Sequence, residues 1–404
     1  MSSSSVVPLV PAAVLGLSAL TYKLTWLDDA RTSALPSLLN TCMRASKKNP
    51  NPSLTSIPSL DDTLCARLAF FKEVTESRAG FGAFCVFAAI VVPYLLRVSY
   101  VASSPNYRPS PLPSIALPLL ASMLTSISTL LLGRGLGLFI PSIITILYTV
   151  TALTKSRSQG IPPLPAPAAA IYGANLVTFI STILLALQLS ASSPSEARAR
   201  IHNSFLAPYI GKDVATQIPL VTSLLSDFFP IVVALPLLVL GLRSVSRPKN
   251  EAEATATMKG YLAEEIAYCF ERTWSYYRQV GLFCAAAHMY GVVRMFRGFV
   301  YDKAPLTSSV TLLLLLATTI GASLLSIVAV DHLTARRDAI DEECSTAIAR
   351  APAGNPGVED NFWVLFILGL ICGPALPACL RFAVEEERNG WKGRRAWRMA
   401  VAKK

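Results

Sequence analysis

Charge is scarce in this 404-residue chain: 15% of residues are Asp, Glu, Lys or Arg, where soluble domains carry about 25%. So few charges cannot cover the surfaces of the two or three soluble domains that the length would otherwise allow. Histidine is rarer still, with three residues, and the eight cysteines (42, 65, 85, 269, 284, 344, 372 and 379) are scattered with no CxxC pair. No Cys/His grouping has zinc-like spacing, so no structural metal is expected. The chain also has no P-loop, no GxGxxG, no GxSxG and no Asn-x-Ser/Thr sequon. The familiar routes to nucleotide binding and to serine-nucleophile hydrolysis are therefore missing, and no cofactor is expected.

What is present is apolar. Hydrophobic residues make up 52% of the chain and the mean hydropathy is +0.48. The charges are clustered: none occurs between Arg108 and Arg134, Arg134 and Lys155, Lys303 and Asp331, or Asp360 and Arg381. Each gap is near or above the roughly 20 residues that an α-helix needs to cross about 30 Å of hydrocarbon. Backbone amides at that depth must bond within their own segment, so helices are expected. Runs such as Leu312–Leu316 lack the alternation that a β-barrel requires. The fold class read from the sequence is all-α, a polytopic transmembrane bundle of about eight or nine spans forming a single membrane domain over 1–404.

The first 22 residues carry no charged side chain. The leading Met1–Ser5 has no basic region, and the apolar stretch continues to Trp26 and Leu27, so a retained first span is expected rather than a cleaved signal. A polar loop over 28–78 follows, with breakers at Pro50, Pro52 and Pro58. Further spans are expected near 79–100, 113–132, 135–154, 168–192, 216–242, 308–330 and 361–381. A polar and amphipathic segment covers 243–278, and a basic cytosolic tail covers 385–404. The stretch 258–300 is ambiguous. It reads either as one long helix, half crossing and half projecting, or as a re-entrant segment.

The net charge of +11 reads as topology determinants facing anionic lipid rather than as a nucleic-acid surface, because the basic residues flank apolar spans. The basic first loop and tail both suit the cytosol, which favours nine spans over eight, although the basic 243–249 segment then falls on the other side. The expected partners are the lipid bilayer and an apolar small molecule, with no nucleic acid.

Ionisable residues at membrane depth are candidates for function, because burying them unpaired is costly. Asp227 interrupts a stretch otherwise uncharged from Val214 to Leu242, beside Phe228 and Pro230. A carboxyl group there could serve as a proton donor. Alternatively, Asp227 caps a helix starting at Phe228, with Pro230 in its first turn. In the 258–300 segment, Glu264, Tyr268, Glu271, Trp274 and Arg278 recur at spacings of three and four and share a face. Tyr276, Tyr277, His288, Tyr290 and Arg294 continue the polar and aromatic content. Carboxyl groups among Trp and Tyr suit a pocket that protonates an apolar substrate and shields the resulting cation. The alternative is an interfacial helix with an aromatic belt and ion pairs. Asp61 and Asp62 read as helix-start charges, and Asp331 with His332 reads as the end of a span.

Two stretches carry a resemblance. Pro58–Phe71, and Gly373-Pro374 followed by Glu385-Glu386-Glu387-Arg388, are similar to segments of fungal multi-span membrane proteins of terpenoid, meroterpenoid and indole-diterpene pathways. Some members of that group are membrane-bound type II terpene cyclases. The resemblance implies an endoplasmic-reticulum enzyme of secondary metabolism that protonates a prenylated precursor and needs no metal. On that reading Asp227, Glu264 or Glu271 would be the acid. Phe228, Trp274 and Tyr277 would stabilise cations, Arg278 or Arg294 would anchor a polar head, and His288 and Tyr290 would line the site. Asp61-Asp62 lacks the third acid of a magnesium-binding DDxxD motif, since position 65 is Cys. The other expected possibilities are a transporter of an apolar metabolite and a non-catalytic scaffold or receptor.

Overall fold

The computed structural model describes residues 9–23, 77–103, 139–156, 263–345 and 362–402, with positions 252, 256, 259 and 260. Asp227, Phe228, the greater part of the 28–78 loop and the spans expected near 113–132, 168–192 and 216–242 lie outside the described residues. The described residues form an all-helical assembly with no strand. Its seven helices are α1 (Leu9–Tyr22), α2 (Arg78–Ser103), α3 (Ile140–Ser156), α4 (Ala263–Val300), α5 (Ser308–Ser345), α6 (Phe362–Cys372) and α7 (Ala375–Ala402).

Two helical stretches, Arg78–Val98 in α2 and Val310–Leu333 in α5, are long and apolar enough to cross a membrane. Local chemistry sets their ends. Ser77 Oγ accepts from the Gly80 amide at 2.9 Å and caps α2. Thr307 Oγ1 accepts from the Val310 amide at 3.4 Å and caps α5 in the same way. Hydroxyl groups inside α5 bond back to the preceding turn, with Thr318 on Leu314 at 2.8 Å and Ser326 on Ala322 at 2.7 Å. That habit lets polar side chains ride in an apolar helix without an unmet donor.

Within the 258–300 segment, Ala263 to Val300 form one continuous helix with no re-entrant turn. It contains no proline, so nothing removes a hydrogen bond from its ladder. α4 runs antiparallel to both α2 and α7. Against α2, Gly82 meets Gly291 and Ala79 meets Gly298. A Cβ at Gly82 would fall 2.5 Å from the Gly291 carbonyl oxygen, and one at Gly298 would fall 2.6 Å from the Ala79 amide nitrogen. Backbones this close require small residues, as in many helix pairs within membranes. Against α7, Gly281 meets Cys379, Tyr277 meets Phe382 and Gly390 meets Phe270. The 385–404 segment expected as a basic tail is thus mostly the second half of α7, packed on α4.

The expected 361–381 span is interrupted. Gly373 has φ +81° and separates α6 from α7, with Pro374 next to it. Glycine tolerates that left-handed backbone, and proline starts a helix more readily than it continues one. α1 and α3 close the other side of α5 through Ser18–Ser142 (2.7 Å) and Thr21–Thr319 (3.4 Å) hydroxyl contacts.

Candidate functional site

Arg97 is fully buried near the C-terminal end of α2, and three carboxyl groups converge on it. Its Nη2 donates to Asp331 Oδ2 of α5 at 2.9 Å and to Glu385 of α7. Nη1 donates to Glu386 Oε1 at 3.3 Å, and Nε donates to the Tyr148 hydroxyl of α3 at 3.1 Å. The planar guanidinium presents donors in several directions at once, which lets one residue bind partners from three other helices.

Two tyrosines extend the network. Tyr148 donates to Asp331, lying 2.8 Å from both of its carboxylate oxygens, and Tyr100 donates to Glu386 Oε2 at 2.5 Å. Tyr100 lies just past the apolar Arg78–Val98 stretch. Burial pushes its phenol well above the ordinary value of 10.0, and the Glu386 carboxylate adds to the shift. It therefore stays a proton donor throughout the physiological range.

Aromatic faces enclose the charge. The Arg97 Cζ lies 4.6 Å from the Phe382 ring centroid, 5.9 Å from Tyr100 and 6.0 Å from Tyr277. Tyr277 stands edge-on to Tyr100 at 6.1 Å and tilted to Phe382 at 5.6 Å. Its hydroxyl is buried and makes no hydrogen bond of ordinary geometry among the described residues. Helices α2, α3, α4, α5 and α7 all contribute to this cluster. A cation is welcome among such rings, and the carboxyl groups can hold or pass a proton among shared partners.

The residues singled out from the sequence fall in several places. Tyr277 belongs to the Arg97 cluster, and Trp274 packs against the same core while the Arg278 guanidinium stacks 4.4 Å from its ring. Glu271 is on the surface, with its side chain 53% exposed and 3.3 Å from Arg394 Nη2. Glu264 belongs to α4 by its backbone, and its side chain lies outside the described part. His288 lies against the Gly373 break, where a Cβ on the glycine would sit 2.6 Å from the imidazole. Its Nδ1 is buried without a hydrogen-bond partner among the described residues. Arg294 and Tyr290 lie near the opposite end of α2, with Arg294 Cζ 5.6 Å from both the Phe81 and Tyr290 rings. The structure brings Trp274, Tyr277 and Arg278 near one another, while His288, Tyr290 and Arg294 are strung along α4 away from them.

Arg97, Tyr100, Tyr148 and Phe382 were not among the expected site residues, and Asp331 was expected only to end a span. A signal for Arg97 existed: it is the sole charged residue between Arg78 and Arg108. Among the described residues no group of three or more His, Cys, Asp or Glu side chains could hold a metal ion. No family model, no curated protein and no solved structure matches this chain.

Proposed function

We propose that this chain is a multi-pass protein of the endoplasmic reticulum membrane that cyclises a prenylated precursor by protonation. The full count of eight or nine spans belongs to this proposal. Two crossing-length helices support the membrane reading. So do the exposed apolar side chains of Leu282, Phe283, Val293 and Phe296 on α4 and of Ile367 and Leu370 on α6, which suit lipid chains.

The observation that carries the chemistry is the buried meeting of Asp331, Glu385 and Glu386 with Arg97 inside a ring of aromatic faces. A carboxylic acid of this cluster gives its proton to a terminal olefin carbon or to an epoxide oxygen. The carbocation so formed is attacked by the next double bond of the chain, and each ring closure moves the charge along. Tyr277, Tyr100 and Phe382 offer their π-faces to that charge. Loss of a proton from a neighbouring carbon ends the sequence, and a carboxylate takes it up, so no redox partner is consumed.

The test uses the full chain in microsomes supplied with a prenylated epoxide. Asp331→Asn and Glu386→Gln should each lower product formation about 100-fold or more, the usual range for removing a positioned acid. Full activity in both variants would remove the cluster from the reaction.

A transporter of an apolar metabolite is the second reading, favoured by the broken α6–α7 helix, since interrupted helices mark substrate sites in many transporters. Substrate efflux from proteoliposomes, with no cyclised product, would select it.

A further inference from the structure

The interrupted helix has a geometry that goes beyond a kink. We propose that α6 and the first half of α7 form a re-entrant hairpin. It dips to about half the membrane depth and leaves by the face it came from. The inference rests on the membrane reading above.

Orientation fixes where the hairpin starts. The end of α4 meets the start of α2, with Gly298 against Ala79 and Arg78 Nη1 3.5 Å from Asp302 Oδ1. α5 begins at Ser308, directly after the short 301–307 connection, so it starts on that same face. It reaches Arg97 through Asp331 and continues outward to Ser345. Arg97 is nineteen residues along α2 from Arg78, which is about 28 Å at 1.5 Å per residue. α5 therefore crosses the full hydrocarbon thickness and ends on the Arg97 face.

The link from α5 to α6 is residues 346–361. These sixteen residues include Arg350, Glu359 and Asp360 and the breakers Pro352, Gly354, Pro356 and Gly357. The apolar α6 thus follows the acidic pair Glu359-Asp360, which suits a membrane face, and the turn at Gly373 indicates which face.

The depth of the tip follows from its neighbours. Gly373 lies against His288, and Ala375 packs with Cys284 and Ala89. Ala89 stands eleven residues from Arg78 and eight from Arg97, about 16 Å and about 12 Å along α2. The 11 residues of α6 span about 16 Å, enough to reach that depth from the Arg97 face and no further.

The turn itself is visible in one pair. Gly369 and Pro377 stand four residues either side of Gly373, and a Cβ on Gly369 would lie 3.5 Å from the Pro377 Cγ. Residues eight apart in a straight helix are separated by about 12 Å along its axis. The chain therefore turns sharply at Gly373, and α6 does not continue the line of α7. α7 then climbs α4, passing Phe382 at Tyr277, Glu386 at Arg97 and Gly390 at Phe270.

The test places single cysteines at Leu306→Cys, Asn361→Cys and Arg398→Cys in the full chain with its native cysteines replaced. A membrane-impermeant maleimide is applied to sealed microsomes before and after permeabilisation. The hairpin predicts that positions 361 and 398 react from one side and position 306 from the other. Opposite sidedness of 361 and 398, with 361 on the side of 306, is the pattern of a straight span; it overturns the hairpin and leaves the membrane reading intact. Reaction of all three without detergent means that no bilayer separates them, and both proposals fail. Should the cysteine-free chain fold poorly, epitope tags after Gly354 and after Lys404 in the otherwise native chain answer the same question. Antibody access from one side supports the hairpin, and access from opposite sides overturns it.

Discussion

Arg97 and Asp331 are 234 positions apart in the chain and meet at 2.9 Å, tying α2 to α5 in a place neither helix could leave singly. Removing one partner of a buried ion pair strands the other, which costs about 3–5 kcal/mol. Arg97→Ala should therefore lower the thermal stability of the purified protein sharply, while Arg97→Lys recovers only part because it loses the guanidinium fork. A melting curve in detergent checks both, and an unchanged midpoint for Arg97→Ala would refute the clamp.

Glu271 provides the contrast. Its ion pair with Arg394 is at the surface, and exposed pairs are worth about 0–1 kcal/mol. Glu271→Gln should leave both the melting midpoint and product formation within error of the parent. A large loss of turnover would return Glu271 to the list of acids.

The α2–α4 crossing depends on missing side chains. Gly82→Ala puts a methyl group 2.5 Å from the Gly291 carbonyl oxygen, and Gly298→Ala puts one 2.6 Å from the Ala79 amide nitrogen. Backbone cannot swing aside as a side chain can, so each change should cost about 1–3 kcal/mol. Gly16→Ala, with nothing among the described residues within 4 Å of its Cβ position, is the control and should not destabilise. Size-exclusion profiles after graded heating compare the three.

Gly373 meets two separate constraints, its φ of +81° and the His288 imidazole 2.6 Å from the Cβ position. Gly373→Ala should destabilise strongly. In a His288→Ala background the same change should cost less, leaving mainly the backbone term of about 1–2 kcal/mol. Additive effects in this double-mutant cycle would show that the ring does not fill the glycine's space.

Much of this architecture was legible in the sequence. Long apolar runs forecast helices at 79–100, 135–154 and 308–330, the last two free of charge, and α2, α3 and α5 occupy those regions. The break at Gly373 was less legible, since Phe362–Leu380 reads as one apolar stretch and hydropathy is blind to a single φ angle. The Arg97 cluster was the hardest to foresee. Its members come from five helices, and Asp331, Glu385 and Glu386 each sit near the polar end of an apolar run, where charge is ordinary. Only the folded register turns them inward. Trp274 and Tyr277 were found because they share one helix with regular spacing, and pairing across helices leaves no such period.

The distance in sequence between Arg97 and Glu386, 289 positions, also orders events in time. At about 5–20 residues per second, a ribosome needs about 15–60 s after making Arg97 before it supplies that carboxylate. Throughout that interval the cation waits without this α7 partner, and a chain released before α7 never acquires it. Among the described helices, α7 is therefore the last to join the assembly.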